Sequence, residues 1–475
     1  MSFISYRFLL LLLPVTLGAY WLVRGTRTRQ AVILAASWVF YAAWDTRFLG
    51  LLILSTAVAY FAGRQIKAAQ DAGTAGGTRA ARRWLIAAVV VNLAILGTFK
   101  YFNFFVDSFN ELLTALAPDW SGRSFGIILP IGVSFYTFQA MSYVFDVHRG
   151  RPETSSSFLE FAAYLSFFPQ LVAGPIVRYG DVARDFRDLA AARLAPNAVP
   201  GLVFLSAGLF EKTVLAGLFA RFPDSVFISP GTGFADGWGA AVSFGFQVFF
   251  DFSGYSLMAV GMGLLFGIRL PKNFDRPYSA KSMQDFWRRW HMTLSSWFRD
   301  YVYVPLGGNR AGKVRTLLNL ALTMFLAGLW HGAAWTFVVW GLFHGALLAG
   351  ERAVAPFRPA WWRGTASAVA VFMLVTVGWV IFRADSFSAA VSVLNGMAGT
   401  RGLLGGAAQW GDFALLLFMG AVTAAYLEWF PLPWDVKWDE LSPAKAVRLV
   451  AGAAALFAAG FFAIPSAGAF IYFQF

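Results

Sequence analysis

The chain of 475 residues is 58% hydrophobic and only 13% charged, with 50 Phe, 19 Trp and no Cys. So few charges cannot cover so much apolar surface in water, and so much to bury excludes disorder. The absent cysteines exclude disulfides, thiolate metal sites and a Cys nucleophile, and the net charge of +13 sits in short basic stretches between apolar runs, which suits membrane loops and not a nucleic-acid groove.

A membrane-spanning helix needs about 20 mostly apolar residues. Segments near 3–23, 31–44, 48–63, 84–105 and 125–147 qualify, followed by 200–219, 239–268, 316–331, 334–350, 366–383, 412–430 and 447–468. The pattern predicts an all-α polytopic membrane protein of about 11–12 spans, forming a single integral-membrane domain over 1–475. In the first segment Arg24, Arg27 and Arg29 follow the leucine run instead of preceding it, so it reads as a retained span and not a secretory signal.

Loop charges assign sides. Residues 24–30 carry three arginines, and 64–83 carry five basic residues against Asp71, so both are expected in the cytoplasm. The loop 107–123, with Asp107, Glu111 and Asp119 against Arg123, suits the outer side. The longest connection, 269–316, holds ten Lys or Arg against three Asp and reads as a basic cytoplasmic arm. Keeping register requires that Phe158–Pro175 dip into the membrane without crossing, which is tolerable where protein surrounds the backbone.

Thr316–Gly350 contains no Asp, Glu, Lys or Arg, yet it holds His331 and His344. One helix of that length would run roughly 52 Å, too long for a core of about 30 Å. Two crossings with a break at Trp330–Trp335 are expected, and His331 then lies within the membrane thickness. An ionisable side chain at that depth points to function, and a neutral imidazole there could serve as a general base. The plainer alternative is a histidine bonded between helices; for His344 a structural role is expected.

In Lys281–Asn309 the bulky residues Met283, Phe286, Trp287, Trp290, Leu294, Trp297, Phe298 and Tyr301 recur at helical spacing. Arg288, Arg289 and Arg299 lie among them, which predicts an amphipathic cytoplasmic helix with His291 at the edge of its apolar stripe. Interfacial anchoring is one reading; grouped arginines that bind a phosphate-bearing donor are the sharper one. Asn309 and Arg310, after the Gly307-Gly308 turn, join the candidate donor-binding residues. Glu211-Lys212 and Asp251 also fall within apolar spans, and either is expected to be paired or to line a cavity, with structural pairing favoured. Four scattered histidines show no metal spacing, so no metal is expected.

At these residues the chain resembles the membrane-bound O-acyltransferase family, in particular its bacterial alginate O-acetylase branch. The matching runs are LPIGVSFYTFQ (129–139), FFPQLVAGPIVRY (167–179), FFDFSGY (249–255), residues 272–310, LAGLWHGAAWTFVVWGLFHG (326–345) and the terminal FIYFQF. The resemblance implies a ring of helices around a thin centre with a central tunnel, and it maps the family's two signature histidines onto His291 and His331, the second as catalytic base. It further implies acetyl transfer from cytoplasmic acetyl-CoA across the bacterial inner membrane, without transport of the coenzyme. The acceptor would be an exported polysaccharide, usually reached through a periplasmic serine-hydrolase-like partner. Competing readings are a transporter or flippase for a lipid-linked sugar, a scaffold for a polysaccharide synthase, and O-acetylation of peptidoglycan or cellulose.

Overall fold

The computed structural model describes the chain except for residues 1, 123, 152–153, 156, 229–231, 311, 355–363, 404–409, 431–432, 469–470 and 472–475. Arg123 and most of the terminal run 470–475 therefore lie outside the described residues. Among the described residues the regular elements are all helical, as the hydropathy pattern predicts. The chain divides into two compact units, Met1–Ala195 with Gly263–Pro271, and Pro196–Met262 with Lys272–Phe475.

The first unit contains α1 (Leu13–Leu22), α2 (Thr26–Ala42), α3 (Leu49–Asp71), α4 (Ala75–Leu96), α5 (Phe102–Leu116), α6 (Val133–His148), α7 (Phe158–Leu165), α8 (Phe168–Leu171) and α9 (Tyr179–Arg187). Helices α3 and α4 are tied by a buried hydrogen bond from Ser55 Oγ to Asn92 Oδ1 at 2.6 Å. The segment expected to dip without crossing forms only the short helices α7 and α8, of 8 and 4 residues. Residues 160–177 are all buried, so its irregular backbone is enclosed by protein. Glu160 accepts from the Tyr179 hydroxyl and lies 3.5 Å from Arg187, which anchors α7 to α9.

The second unit contains α10 (Ala195–Phe210), α11 (Ala216–Val226), α12 (Phe234–Leu265), α13 (Met283–Arg289), α14 (Met292–Phe298), α15 (Lys313–His331), α16 (Trp335–Val354), α17 (Thr365–Arg383), α18 (Phe387–Met397), α19 (Trp410–Trp429) and α20 (Pro443–Ala463). A Cβ on Gly208 would lie 2.5 Å from the Gly254 carbonyl oxygen, so α10 and α12 pack backbone to backbone. That approach brings Lys212 to Asp251, both almost wholly buried, in an ion pair. Asp251 also accepts from the Ile471 backbone N–H at 2.8 Å, and Lys212 donates to the Gly468 carbonyl at 3.2 Å. The neighbouring Glu211 accepts from the Tyr426 hydroxyl at 3.0 Å.

Among the described residues seven helices are long and apolar enough to cross a membrane, which makes this a multi-pass membrane protein: Thr46–Asp71, Ala75–Leu116, Ala195–Val226, Phe234–Leu265, Trp335–Val354, Thr365–Arg383 and Pro443–Ser466. The expected spans at 3–23, 31–44, 125–147 and 316–331 form helices that are shorter or more polar. Helix α6 is packed on almost every side. Its 16 residues are nearly all buried against protein, so their apolar character serves packing.

A Lys212→Met protein leaves the Asp251 carboxylate buried without its cation and should lose about 3–5 kcal/mol of stability. Adding Asp251→Leu should recover most of that loss, as read by thermal unfolding in detergent.

Candidate active site

The uncharged window folds into the predicted hairpin. Helix α15 ends at His331, and after Gly332–Ala334 the chain turns back as α16. The two helices nearly touch. A Cβ on Gly328 would lie 2.3 Å from the Phe337 carbonyl oxygen, and one on Gly341 would lie 2.3 Å from that of Met324. Small residues here let the bulky ones around them enclose a common interior.

His331 is 2% exposed and is collared by edge-to-face rings: Trp340 at 5.0 Å, Trp330 at 5.1 Å and Phe382 at 5.6 Å between centroids. Trp330 also meets His291 at 5.9 Å, so one indole touches both imidazoles. The structure therefore brings the two predicted histidines together although 40 residues separate them in sequence.

His291 corrects one expectation. The amphipathic helix expected over Lys281–Asn309 is broken at Trp290-His291 into α13 and α14, followed by a π-helical turn over Arg299–Tyr303. His291 itself adopts φ 42° and ψ 55°, a left-handed conformation costly for a side-chain-bearing residue. The break turns its ring inward, to 0% exposure, instead of leaving it at the edge of a stripe. Continuous periodicity conceals such a break because the aromatic residues on either side still pack on the same core.

The proton on His291 can be assigned from its surroundings. Asn273 Oδ1 accepts from the Thr293 backbone N–H at 3.3 Å and from the Thr293 hydroxyl at 2.9 Å, while Asn273 Nδ2 lies 3.1 Å from Ser256 Oγ. That oxygen faces His291 Nδ1 at 3.2 Å, so Nδ1 carries the proton and Nε2 the lone pair. Nε2 has no hydrogen-bond partner among the described residues. Burial pushes the pKa of His291 down to about 3, so the ring stays neutral.

A cavity of about 580 Å³ opens between α13, α14, α15 and α16. Arg288, Arg299 and Arg352 stand in its wall, with Trp287, Tyr303, Met324, Ala327 and Leu348 among the less polar lining. Ala327 is one turn before His331 on the same face of α15, so the cavity wall continues toward the imidazole. Of the residues predicted to bind a donor, Arg288 and Arg299 line this space. Arg289 does not; it is held by Asp285 at 2.8 Å. Asn309 and Arg310 are exposed on the glycine turn outside the lining. Asn319 Nδ2 holds that turn through the carbonyls of Leu306 and Gly308, at 3.2 and 3.1 Å.

Sequence reasoning missed Arg352, which had served only to mark a loop. Its signal was the eight-residue spacing from His344, which puts both on one face of α16. Glu351 was missed too: its carboxylate accepts from the backbone N–H groups of Met283 and Gln284, at 3.1 and 3.0 Å, and so caps α13 beside the cavity. His344 lies at 0% exposure against Trp340 and Trp287.

A sequence model of the membrane-bound O-acyltransferase family matches residues 151–389, the stretch that holds both histidines and the whole cavity wall. The chain is 44% identical over 406 residues to a probable alginate O-acetylase AlgI of Pseudomonas aeruginosa, covering 84% of this chain and 75% of that protein. It is 44% identical over 399 residues to the corresponding protein of Azotobacter vinelandii, covering 82% and 76%. A peptidoglycan O-acetyltransferase of Helicobacter pylori is 36% identical over 438 residues, covering 83% and 79%. The extent of these similarities shows that the chain is an acyltransferase that belongs to the membrane-bound O-acyltransferase family.

Proposed function

We propose that the protein transfers an acetyl group from cytoplasmic acetyl-CoA, across the bacterial inner membrane, to a hydroxyl on the outer side. The observation that carries this reading is His331, buried at the end of α15 one turn beyond the wall of an arginine-lined cavity. The basic mouth suits the phosphates of a coenzyme, and the less polar wall suits its acyl arm. His331 takes the proton from the incoming hydroxyl, whose oxygen attacks the thioester carbonyl. The tetrahedral adduct then collapses and expels the coenzyme thiolate, which is protonated as it leaves. The coenzyme's charges need never enter the membrane, where each would cost at least ~2.5–3.5 kcal/mol. His291 offers a lone pair at Nε2 and no proton there, so it orients a donor group and does not polarise the carbonyl.

The similarity to alginate O-acetylases favours an exported alginate-like polysaccharide as final acceptor, reached through a periplasmic serine-hydrolase-like partner. Peptidoglycan is the second reading, favoured by the Helicobacter pylori relative.

Purified protein in liposomes, given acetyl-labelled acetyl-CoA together with an alginate oligosaccharide as hydroxyl acceptor, should release free coenzyme as the label passes to the acceptor. His331→Ala should lower that rate at least about 100-fold, the usual weight of a general base. Intact thioester with wild-type protein would mark a transporter instead, and an undiminished rate in the variant would remove His331 from the chemistry. Arg288→Ala with Arg352→Ala should raise KM about fivefold or more with little change in kcat, and most clearly at low salt. Asn273→Ala and His291→Ala should each slow turnover, and the double variant should be no slower than His291→Ala alone, because both remove one oriented imidazole.

A further inference from the structure

His344 was expected to be structural, yet neither of its ring nitrogens has a hydrogen-bond partner among the described residues, although the residue is wholly buried. A structural histidine at such a position normally satisfies both nitrogens. The ring is closely accommodated: a Cβ on Gly378 would lie 2.8 Å from His344 Nε2, so a larger residue on α17 there would make the ring shift.

Its place in the unit suggests what the nitrogens are for. Leu348 and Arg352 line the cavity, and His344 stands one and two turns before them on the same face of α16. Trp287, also in the cavity wall, meets His344 at 5.2 Å, and its Nε1 likewise has no partner among the described residues. On the other side Trp340 touches both His344, at 4.8 Å, and His331, at 5.0 Å. His344 therefore stands between the cavity and the imidazole assigned to the chemistry.

We infer that His344 and Trp287 bind the amide-bearing arm of the donor thioester as it passes from the cavity toward His331, an inference that rests on the acyl-CoA reading above. A neutral imidazole presents one donor and one acceptor, which matches a secondary amide group for group, and the indole N–H supplies a donor for a further carbonyl. A purely hydrocarbon chain would leave all three unmatched. An anion would find no positive charge on these rings.

The test compares acetyl-CoA with S-ethyl thioacetate, a thioester that carries no amide, using the full-length protein. His344→Phe keeps an aromatic ring and removes its hydrogen bonds. It should raise KM for acetyl-CoA about tenfold, the effect of losing one or two such bonds. The kcat for acetyl-CoA and the weak reaction with S-ethyl thioacetate should be unchanged. His344→Gln, which restores a donor and an acceptor, should recover most of the affinity. Trp287→Phe, at the cavity wall, should weaken acetyl-CoA alone in the same way, and it decides the matter if His344→Phe does not fold. An unchanged KM in the phenylalanine variants, or equal losses with both thioesters, overturns the inference while leaving the donor assignment standing. Wild-type protein that cleaves neither thioester would fell both.

Discussion

The close approach of α15 and α16 is the constraint from which the site follows. At Gly328 and Gly341 each helix lies where the other's Cβ atoms would have to be, so the two backbones pack without intervening side chains. Every large residue on this hairpin is thereby displaced to its flanks. Trp330, His331, Trp340 and His344 then meet Trp287, His291, Trp379 and Phe382 as one layer of rings. A bulkier residue at either glycine would push the helices apart and open the chamber that gives the imidazoles their low-dielectric surroundings.

Those surroundings set the chemistry. A histidine excluded from water is neutral, and a neutral imidazole is acid at one nitrogen and base at the other. Asn273 determines which is which for His291, because its oxygen is already committed to Thr293 as an acceptor. The left-handed backbone of His291 is the local cost of holding that ring against Asn273 instead of letting α13 and α14 run on as one helix. Elsewhere in the same unit Lys212 and Asp251 neutralise each other as a buried pair, whereas His344 and Trp287 have no hydrogen-bond partner at their ring nitrogens among the described residues.

Much of this was legible in the order of residues. An uncharged stretch of 35 residues too long for one crossing, with a Gly-containing turn at its middle, had to form a hairpin and had to leave His331 near the bend. The grouping of Arg288 and Arg299 near an aromatic run likewise pointed to a basic cavity wall. Which of the five candidate donor-binding residues line the cavity was not legible at that level, since residues adjacent in sequence point to different sides and a neighbouring carboxylate, here Asp285, can hold Arg289. Arg352 and Glu351 were overlooked because loop charges were read for topology alone.

By itself the sequence determined the solvent, the class of secondary structure and the hairpin, because apolar composition and helical length are local properties summed along the chain. It also singled out His331 as a candidate, since the cost of placing an ionisable group in hydrocarbon is independent of its partners. Tertiary structure alone decided that α13 and α14 break at His291, that α6 is clothed in protein, and that His344 lies between the cavity and His331. These depend on which surfaces meet, and side chains distant in sequence, such as Asn273 against His291 or Gly378 against His344, supply the deciding contacts.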